Sequence, residues 1–369
     1  MQRTISGLAW FVIGVLVAAV LLECALRFVP VSMGRHRTEQ FDRWPLQSLE
    51  PGLKHAYSIS WSLQNAQRGV TNNYGHIAPF DFKKTSHPIL VIGDSYVESL
   101  MNDYADSLQG QLGQKFAMPE SVYGLGVSGL SASDYFALSR MARDEFNPVA
   151  AVYLITDGDF SESLGYSLGN YYLEPDGDKL KLNYAPMRDE SFMKKVRKSI
   201  GEIAIYRYFL VNLQFSIDKV LSVFHDQPNA KISADAADKN ALATQKVAEW
   251  FLTELPAGSG LLPQCIVFLV DSDRYAIYKP ELATLRKDRA DVRRYFVEQA
   301  QQHGFRVSDL DPIFKERYAA NRIKFDHYPV DRHWNRVGHG IGASEAYRLL
   351  HTPGANNQPA CFTEKTLRQ

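Results

Sequence analysis

Five short apolar or β-rich runs, Ile89–Ile92, Ser121–Tyr123, Ala150–Ile155, Cys265–Val270 and Phe305–Val307, alternate with helical patterns at Asp103–Phe116, Ser133–Phe146, Glu281–His303 and Gly342–Leu350. Strands so apolar are covered on both faces, and the helices between them have the length of crossover connections. The succession predicts an α/β chain with a parallel, doubly wound, five-stranded sheet. With 369 residues, 45% of them hydrophobic, the chain can bury a substantial core. Its 41 basic and 41 acidic residues balance, so nothing in the charge points to a nucleic-acid partner.

The amino terminus points instead to a membrane. From Ile5 to Leu22 the chain is apolar apart from Ser6 and its glycines, and the pattern resumes through Cys24, Ala25 and Leu26 after a single Glu23. At roughly 1.5 Å per residue this is about 30 Å of helix, enough to cross a bilayer. We read residues 1–27 as an uncleaved transmembrane anchor. A cleaved signal peptide would have a shorter apolar core, and Glu23-Cys24-Ala25-Leu26-Arg27 offers no small-residue exit. Lipidation at Cys24 is a weaker alternative, because the bulky Glu23 precedes it. Arg3 lies on one side of the span and Arg27, Arg35 and Arg37 on the other, so charge alone does not orient it. The expectation is a single-pass protein with its large domain periplasmic or otherwise extracytoplasmic.

Residues 28–85 read as an irregular linker with a small β extension, in which Ser58–Leu63 alternates as a half-buried strand would. The main domain is expected over residues 86–355, interrupted by an insertion at about 165–240 and followed by a tail at 356–369. Within the insertion, Tyr171–Leu182 reads as a hairpin turning at Pro175-Asp176-Gly177-Asp178. A long helical stretch follows, from about Glu190 to Phe224, with Lys194, Lys195, Arg197 and Lys198 in its first turns and a dense apolar middle. It could pack on its own domain, lie on lipid or cover the site as a lid. Residues 226–240 read as a loop. Cys265 and Cys361 either form a disulfide in an oxidising compartment or remain as buried thiols.

Two stretches carry chemistry. The run Pro88–Ile92 ends in Gly93-Asp94-Ser95, and Tyr96-Val97-Glu98-Ser99-Leu100 is compatible with a turn into a helix. That would put the Ser95 hydroxyl at a helix N-terminus, where amides and the dipole favour developing negative charge. A serine needs a base, and of the ten histidines His333 has the best local company: Asp331 two residues before it, and Asn335-Arg336-Val337-Gly338-His339-Gly340 opening a helix. His339 reads as a packing or capping residue. A metal site at His327, His333 and His339 is disfavoured, since no Cys pair or His-Glu-x-x-His helix accompanies them.

Gly93-Asp94-Ser95, then Gly126-Val127-Ser128-Gly129 after the second strand, then Asp331-x-His333 before the last helix, together resemble the SGNH, or GDSL-type, hydrolases over about residues 88–350. The resemblance implies a flavodoxin-like three-layer α/β/α sandwich. It implies Ser95 as nucleophile, His333 as general base, Asp331 as its orienter, and the amides of Ser95 and Gly129 as oxyanion donors. Gly93, Asp94 and Asn335 would support these motifs. Two positions depart from the family pattern. Thr156-Asp157-Gly158-Asp159 places Gly158 where an oxyanion-binding asparagine is expected, and the acid and base are spaced Asp-x-His rather than Asp-x-x-His. Loss of one oxyanion donor costs about 10²–10³ in rate, and a carboxylate of Asp157 or Asp159 pointing inward would repel the oxyanion.

The expected activity is that of an envelope-facing serine esterase needing no cofactor or metal, with an ester, such as an acetylated glycan, as substrate. O-acetyl transfer to an exported polysaccharide and a catalytically silent glycan-binding module are the alternatives. The sequence names no protein partner.

Overall fold

The computed structural model describes residues 2–33, 36–187, 199–215, 234–282, 287–351 and 361. The chain runs α1 (Gln2–Phe28), β1 (Arg37–Gln40), β2 (Leu46–Leu49), β3 (Lys54–Ile59), β4 (Gln64–Val70) and β5 (Ile89–Gly93). It continues through α2 (Ser95–Glu98), α3 (Leu108–Lys115), β6 (Val122–Gly126), α4 (Ala132–Phe146), β7 (Ala150–Ile155) and α5 (Asp159–Glu162). Next come β8 (Tyr171–Asp176), β9 (Lys179–Tyr184), α6 (Ala204–Arg207), α7 (Ala234–Ser259), β10 (Ile266–Val270) and α8 (Arg274–Tyr278). Last are α9 (Lys287–Gln302), β11 (Arg306–Asp309), α10 (Leu310–Asn321) and α11 (Arg336–His351).

These elements form two compact units. The larger comprises residues 37–53, 70–187 and the chain from 230 onward; the smaller comprises residues 1–36, 54–69 and 188–229. In the larger unit five strands form one parallel sheet in the order β11-β10-β7-β5-β6. Alternate residues on each strand feed two separate cores. On one face Leu90, Ile92, Tyr153 and Phe268 pack with Phe136, Phe146, Phe251 and Phe296 from α4, α7 and α9. On the other, Ile89, Val91, Val152 and Leu269 pack with Leu108, Leu112, Phe314 and Ile341 from α3, α10 and α11. Each such side chain, fully buried, contributes about 1.5–3 kcal/mol. Helices on both faces of the sheet are consistent with a three-layer sandwich. From β5 the chain crosses to β6 on one side and then returns to β7 on the other, so the carboxyl end of β5 lies where the winding direction reverses. Open α/β sheets form their ligand crevice at such a point.

Several elements differ from expectation. The helix expected over Asp103–Phe116 is broken by extended Ser107, whose hydroxyl accepts the Gly110 amide and starts α3 afresh. The strand expected at Ser58–Leu63 ends at Ile59, because Ser60 and Leu63 adopt positive φ in a turn. Residues 234–240, read as loop, are the first turns of α7. The hairpin is present as β8–β9, with Gly177 at φ +61° in its turn. Cys265 and Cys361 form a disulfide.

In the smaller unit α1 holds a stretch, Ala9–Phe28, that is long and apolar enough to cross a membrane. The stretch expected as one helix from Glu190 to Phe224 is described only between 199 and 215, and its basic residues Lys194, Lys195, Arg197 and Lys198 lie outside the described residues. Within 199–215 it is not continuous. Ile203 is extended, α6 begins after it, and Tyr208–Asn212 widens into a π-helical turn. The cause is tertiary: the two carboxylate oxygens of Glu23 accept the Ala204 and Ile205 amides at 3.0 and 2.9 Å, supplying a cap that the local sequence lacks.

Candidate active site

The turn bearing Ser95 forms because Asp94 leaves β5 in a non-helical conformation and its side chain accepts the Tyr96 amide at 3.0 Å. The Asp94 carbonyl takes the amides of Val97 and Glu98. Ser95 therefore occupies the first position of α2, at the carboxyl end of β5. Gly126 makes this packing possible: a Cβ there would lie 2.3 Å from the Glu98 amide nitrogen.

His333 and Asp331 reach Ser95 from 236 residues or more downstream in the chain. The His333 Nε2 to Ser95 Oγ distance is 2.7 Å, and His333 Nδ1 lies 2.5 Å from Asp331 Oδ1. Asp331 is buried, and the same oxygen accepts the His333 backbone amide at 3.0 Å. This arrangement assigns the proton to Nδ1 and leaves Nε2 to accept from the serine hydroxyl. Burial disfavours the imidazolium, but the hydrogen bond and charge of Asp331, with Asp94 behind, outweigh it and raise the His333 pKa above the usual histidine value. Burial lifts the Asp94 carboxyl to about 6, against the opposing effects of the Tyr96 amide and the His333 charge.

The loop bearing His333 is held by residues that the motifs did not disclose. Arg274, buried at the start of α8, donates from Nε to Asp326 Oδ2 at 3.1 Å and from Nη1 to both oxygens of Asp271. Its Nη2 reaches the Tyr96 hydroxyl at 2.7 Å and the Arg332 carbonyl at 2.8 Å. Tyr96 in turn donates to the same carbonyl, and its ring centroid lies 4.8 Å from that of His333. Trp334 is fully buried and donates its indole N–H to Asp271 at 3.0 Å. On the other side, Asn102 donates to the Trp334 carbonyl and accepts from His327 Nε2 at 3.1 Å. His339 is buried, with Nε2 3.2 Å from both Ser99 Oγ and Asn102 Nδ2, and burial lowers its pKa to about 3. Neutral His339 is thus a packing residue. Asn335 caps α11 by accepting the Val337 and Gly338 amides, while its Nδ2 ties the Lys324 and Asp326 carbonyls.

Gly129 and Gly158 lie on the loops after β6 and β7, the two strands flanking β5. Gly129 has φ +84°, and the direction a Cβ would take is open. Its carbonyl accepts from Asn170 Nδ2 at 2.6 Å. The preceding Ser128 is fixed by its amide and hydroxyl to Glu98 Oε2, and the buried Glu98 pairs with Arg37 at 3.6 Å. Gly158 caps α5, and a Cβ there would meet Glu162 Oε1 at 2.6 Å. The Asp159 carboxylate turns back into its own loop, accepting the Thr156 amide and hydroxyl at 2.8 Å each. Burial, with Asp94 nearby, raises its pKa well above the carboxylate range. Asp157 instead lines a cavity of about 140 Å³ together with Tyr96 and Arg332, the chain neighbours of Ser95 and His333, and with Ser272, Arg274 and Tyr275. A second cavity, also about 140 Å³, shares Thr156, Asp157, Asp271 and Asp273 with it and is otherwise mainly apolar.

Among the described residues, no three His, Cys, Asp or Glu side chains are grouped to hold a metal ion. Of the three histidines considered together, His327 faces Asn102, His333 faces Ser95, and His339 is interior. No family model and no curated protein matches the chain.

Proposed function

We propose that the protein is a serine ester hydrolase of the SGNH type, tethered to a membrane by α1. The observation that carries this reading is the unbroken hydrogen-bonded series Asp331–His333–Ser95 at the carboxyl end of β5. The order β11-β10-β7-β5-β6, with the serine at the reversal point, supports the flavodoxin-like form of the fold.

Ser95 Oγ attacks the ester carbonyl while its proton passes to His333 Nε2, and Asp331 stabilises the resulting imidazolium. His333 returns the proton to the departing alcohol. A water molecule, deprotonated by the same nitrogen, then releases the acid from Ser95. Because Asp94 takes the amides of Tyr96, Val97 and Glu98, the Ser95 N–H is the first-turn donor of α2 left to meet the oxyanion. The Gly129 N–H is the second donor, on a loop clamped by Glu98 and Asn170. No asparagine stands at position 158, and both carboxyl oxygens at 159 are taken up within their own loop by the Thr156 amide and hydroxyl.

The test is hydrolysis of a short-chain nitrophenyl ester by the full chain in detergent. Wild type is expected to turn over, and Ser95→Ala and His333→Ala, with unchanged circular dichroism, to fall to the uncatalysed rate. Equal turnover by the folded Ser95→Ala variant would overturn the proposal.

A further inference from the structure

The smaller unit carries a second membrane-seeking surface that catalysis does not use. Glu23, inside the apolar stretch Ala9–Phe28, would be costly in lipid as an unpaired carboxylate. It is not unpaired. Besides Arg27 at 2.8 Å, it accepts the first amides of α6, so the start of α6 is fixed at the level of Glu23 along α1. Glu23 precedes the last residue of α1, Phe28, by five positions, which at 1.5 Å per residue is roughly 7.5 Å below the helix end. That is the depth at which interfacial amphipathic segments rest, about 5–10 Å into the headgroup and acyl boundary.

The chemistry of the surrounding collar fits that depth. Ala204 is buried against Leu26 and Val31, fixing α6 to the exit of α1. Asn212 ties the far end of the π-helical turn to the same exit, accepting the Ser32 amide at 3.0 Å and donating to the Ser58 hydroxyl at 2.7 Å. The opposite faces carry Ile203, Tyr206, Phe209, Leu210 and Trp61 exposed, alongside Phe28 at the end of α1. Tyr and Trp favour the interface, where one end of the ring is apolar and the other wet. Arg68 donates to the Phe28 carbonyl at 3.0 Å, which puts a cation at headgroup level.

We infer that α6 and the π-helical turn after it, Ala204–Asn212, lie embedded in the membrane interface around the exit of α1, with Glu23 as the polar pin that holds them there. The partner is a lipid bilayer, indicated by continuity with α1. The inference rests on reading α1 as a membrane span, which the experiment tests separately.

Single cysteines, Val17→Cys, Phe209→Cys and Leu210→Cys, are introduced into a full-length Cys24→Ser background that keeps the Cys265–Cys361 disulfide, and labelled with a nitrobenzoxadiazole dye. The proteins are reconstituted in phosphatidylcholine and phosphatidylglycerol vesicles containing doxyl-labelled lipid, with iodide as the aqueous quencher. The expected result is doxyl quenching at position 17 from deep labels, and at 209 and 210 from shallow labels, with protection from iodide. Quenching at 17 but iodide access without doxyl quenching at both 209 and 210 would overturn the inference while leaving the anchor intact. Absence of doxyl quenching at all three positions would remove the anchor and this inference together.

Discussion

Arg274→Met replaces the buried cation behind the His333 loop with an uncharged chain of similar length. In the wild type the guanidinium satisfies two carboxylates, Asp271 and Asp326, whose side chains are 7% and 3% exposed, and it donates to the Arg332 carbonyl beside His333, the proposed base. Removing one partner of a buried pair leaves the other charge uncompensated, at a cost of about 3–5 kcal/mol. Trp334 still donates to Asp271, which places the expected loss toward the lower end of that range. The Tyr96 and Arg332 contacts go with it, so His333 loses the brace fixing its approach to Ser95, and displacement of about 1 Å costs on the order of 10²-fold in rate. Urea unfolding followed by tryptophan fluorescence measures the first effect; kcat/KM on a nitrophenyl ester at a pH above the acid limb measures the second. A variant losing less than about 1 kcal/mol, with kcat/KM unchanged, would refute the assignment of Arg274 as the brace of the site.

Because His333 must be neutral to act as base and its pKa is raised, kcat/KM should fall with decreasing pH through a value above about 6.5. Asp331→Asn should move that limb to lower pH, since the largest influence opposing burial is lost, and reduce the plateau by up to about 10⁴-fold; a pH–rate profile of each protein checks both. Glu98→Gln keeps the shape but weakens the hold on Ser128 and Gly129, and should lower kcat by about tenfold or more with little change in KM, read by steady-state kinetics. Reducing the Cys265–Cys361 bond, which spans 96 residues of sequence, should destabilise the fold by about 4 kcal/mol, read as a lowered urea midpoint with and without reductant.

The parallel sheet was legible because continuous apolar runs alternating with crossover-length helices have few other solutions, and Ala150–Ile155 forms a strand with those bounds. Ser95 and His333 stood out because each sits beside a local partner, Asp94 or Asp331, that gives its type a purpose. Arg274 did not, since its meaning lies in Asp326 and Arg332, 52 and 58 residues away. The Glu98 and Asn170 clamps on the Ser128–Gly129 loop were hidden for the same reason. Strands β1 and β2 escaped notice because four residues each are too few to show a period. The start of α7, rich in Ala, Asp, Lys and Asn, lacks the apolar stripe that marks a helix, and good helix formers carry it instead. The break before α6 comes from Glu23, some 180 residues away, which no local pattern can record.

The central claim, that His333 activates Ser95 as a nucleophile, is tested most directly by intact and peptide mass spectrometry after treatment with a fluorophosphonate. The account predicts one phosphonyl adduct, located on Ser95 and abolished in folded His333→Ala. Folded wild-type protein with no adduct, or an adduct on Ser95 that forms equally fast without His333, would contradict it.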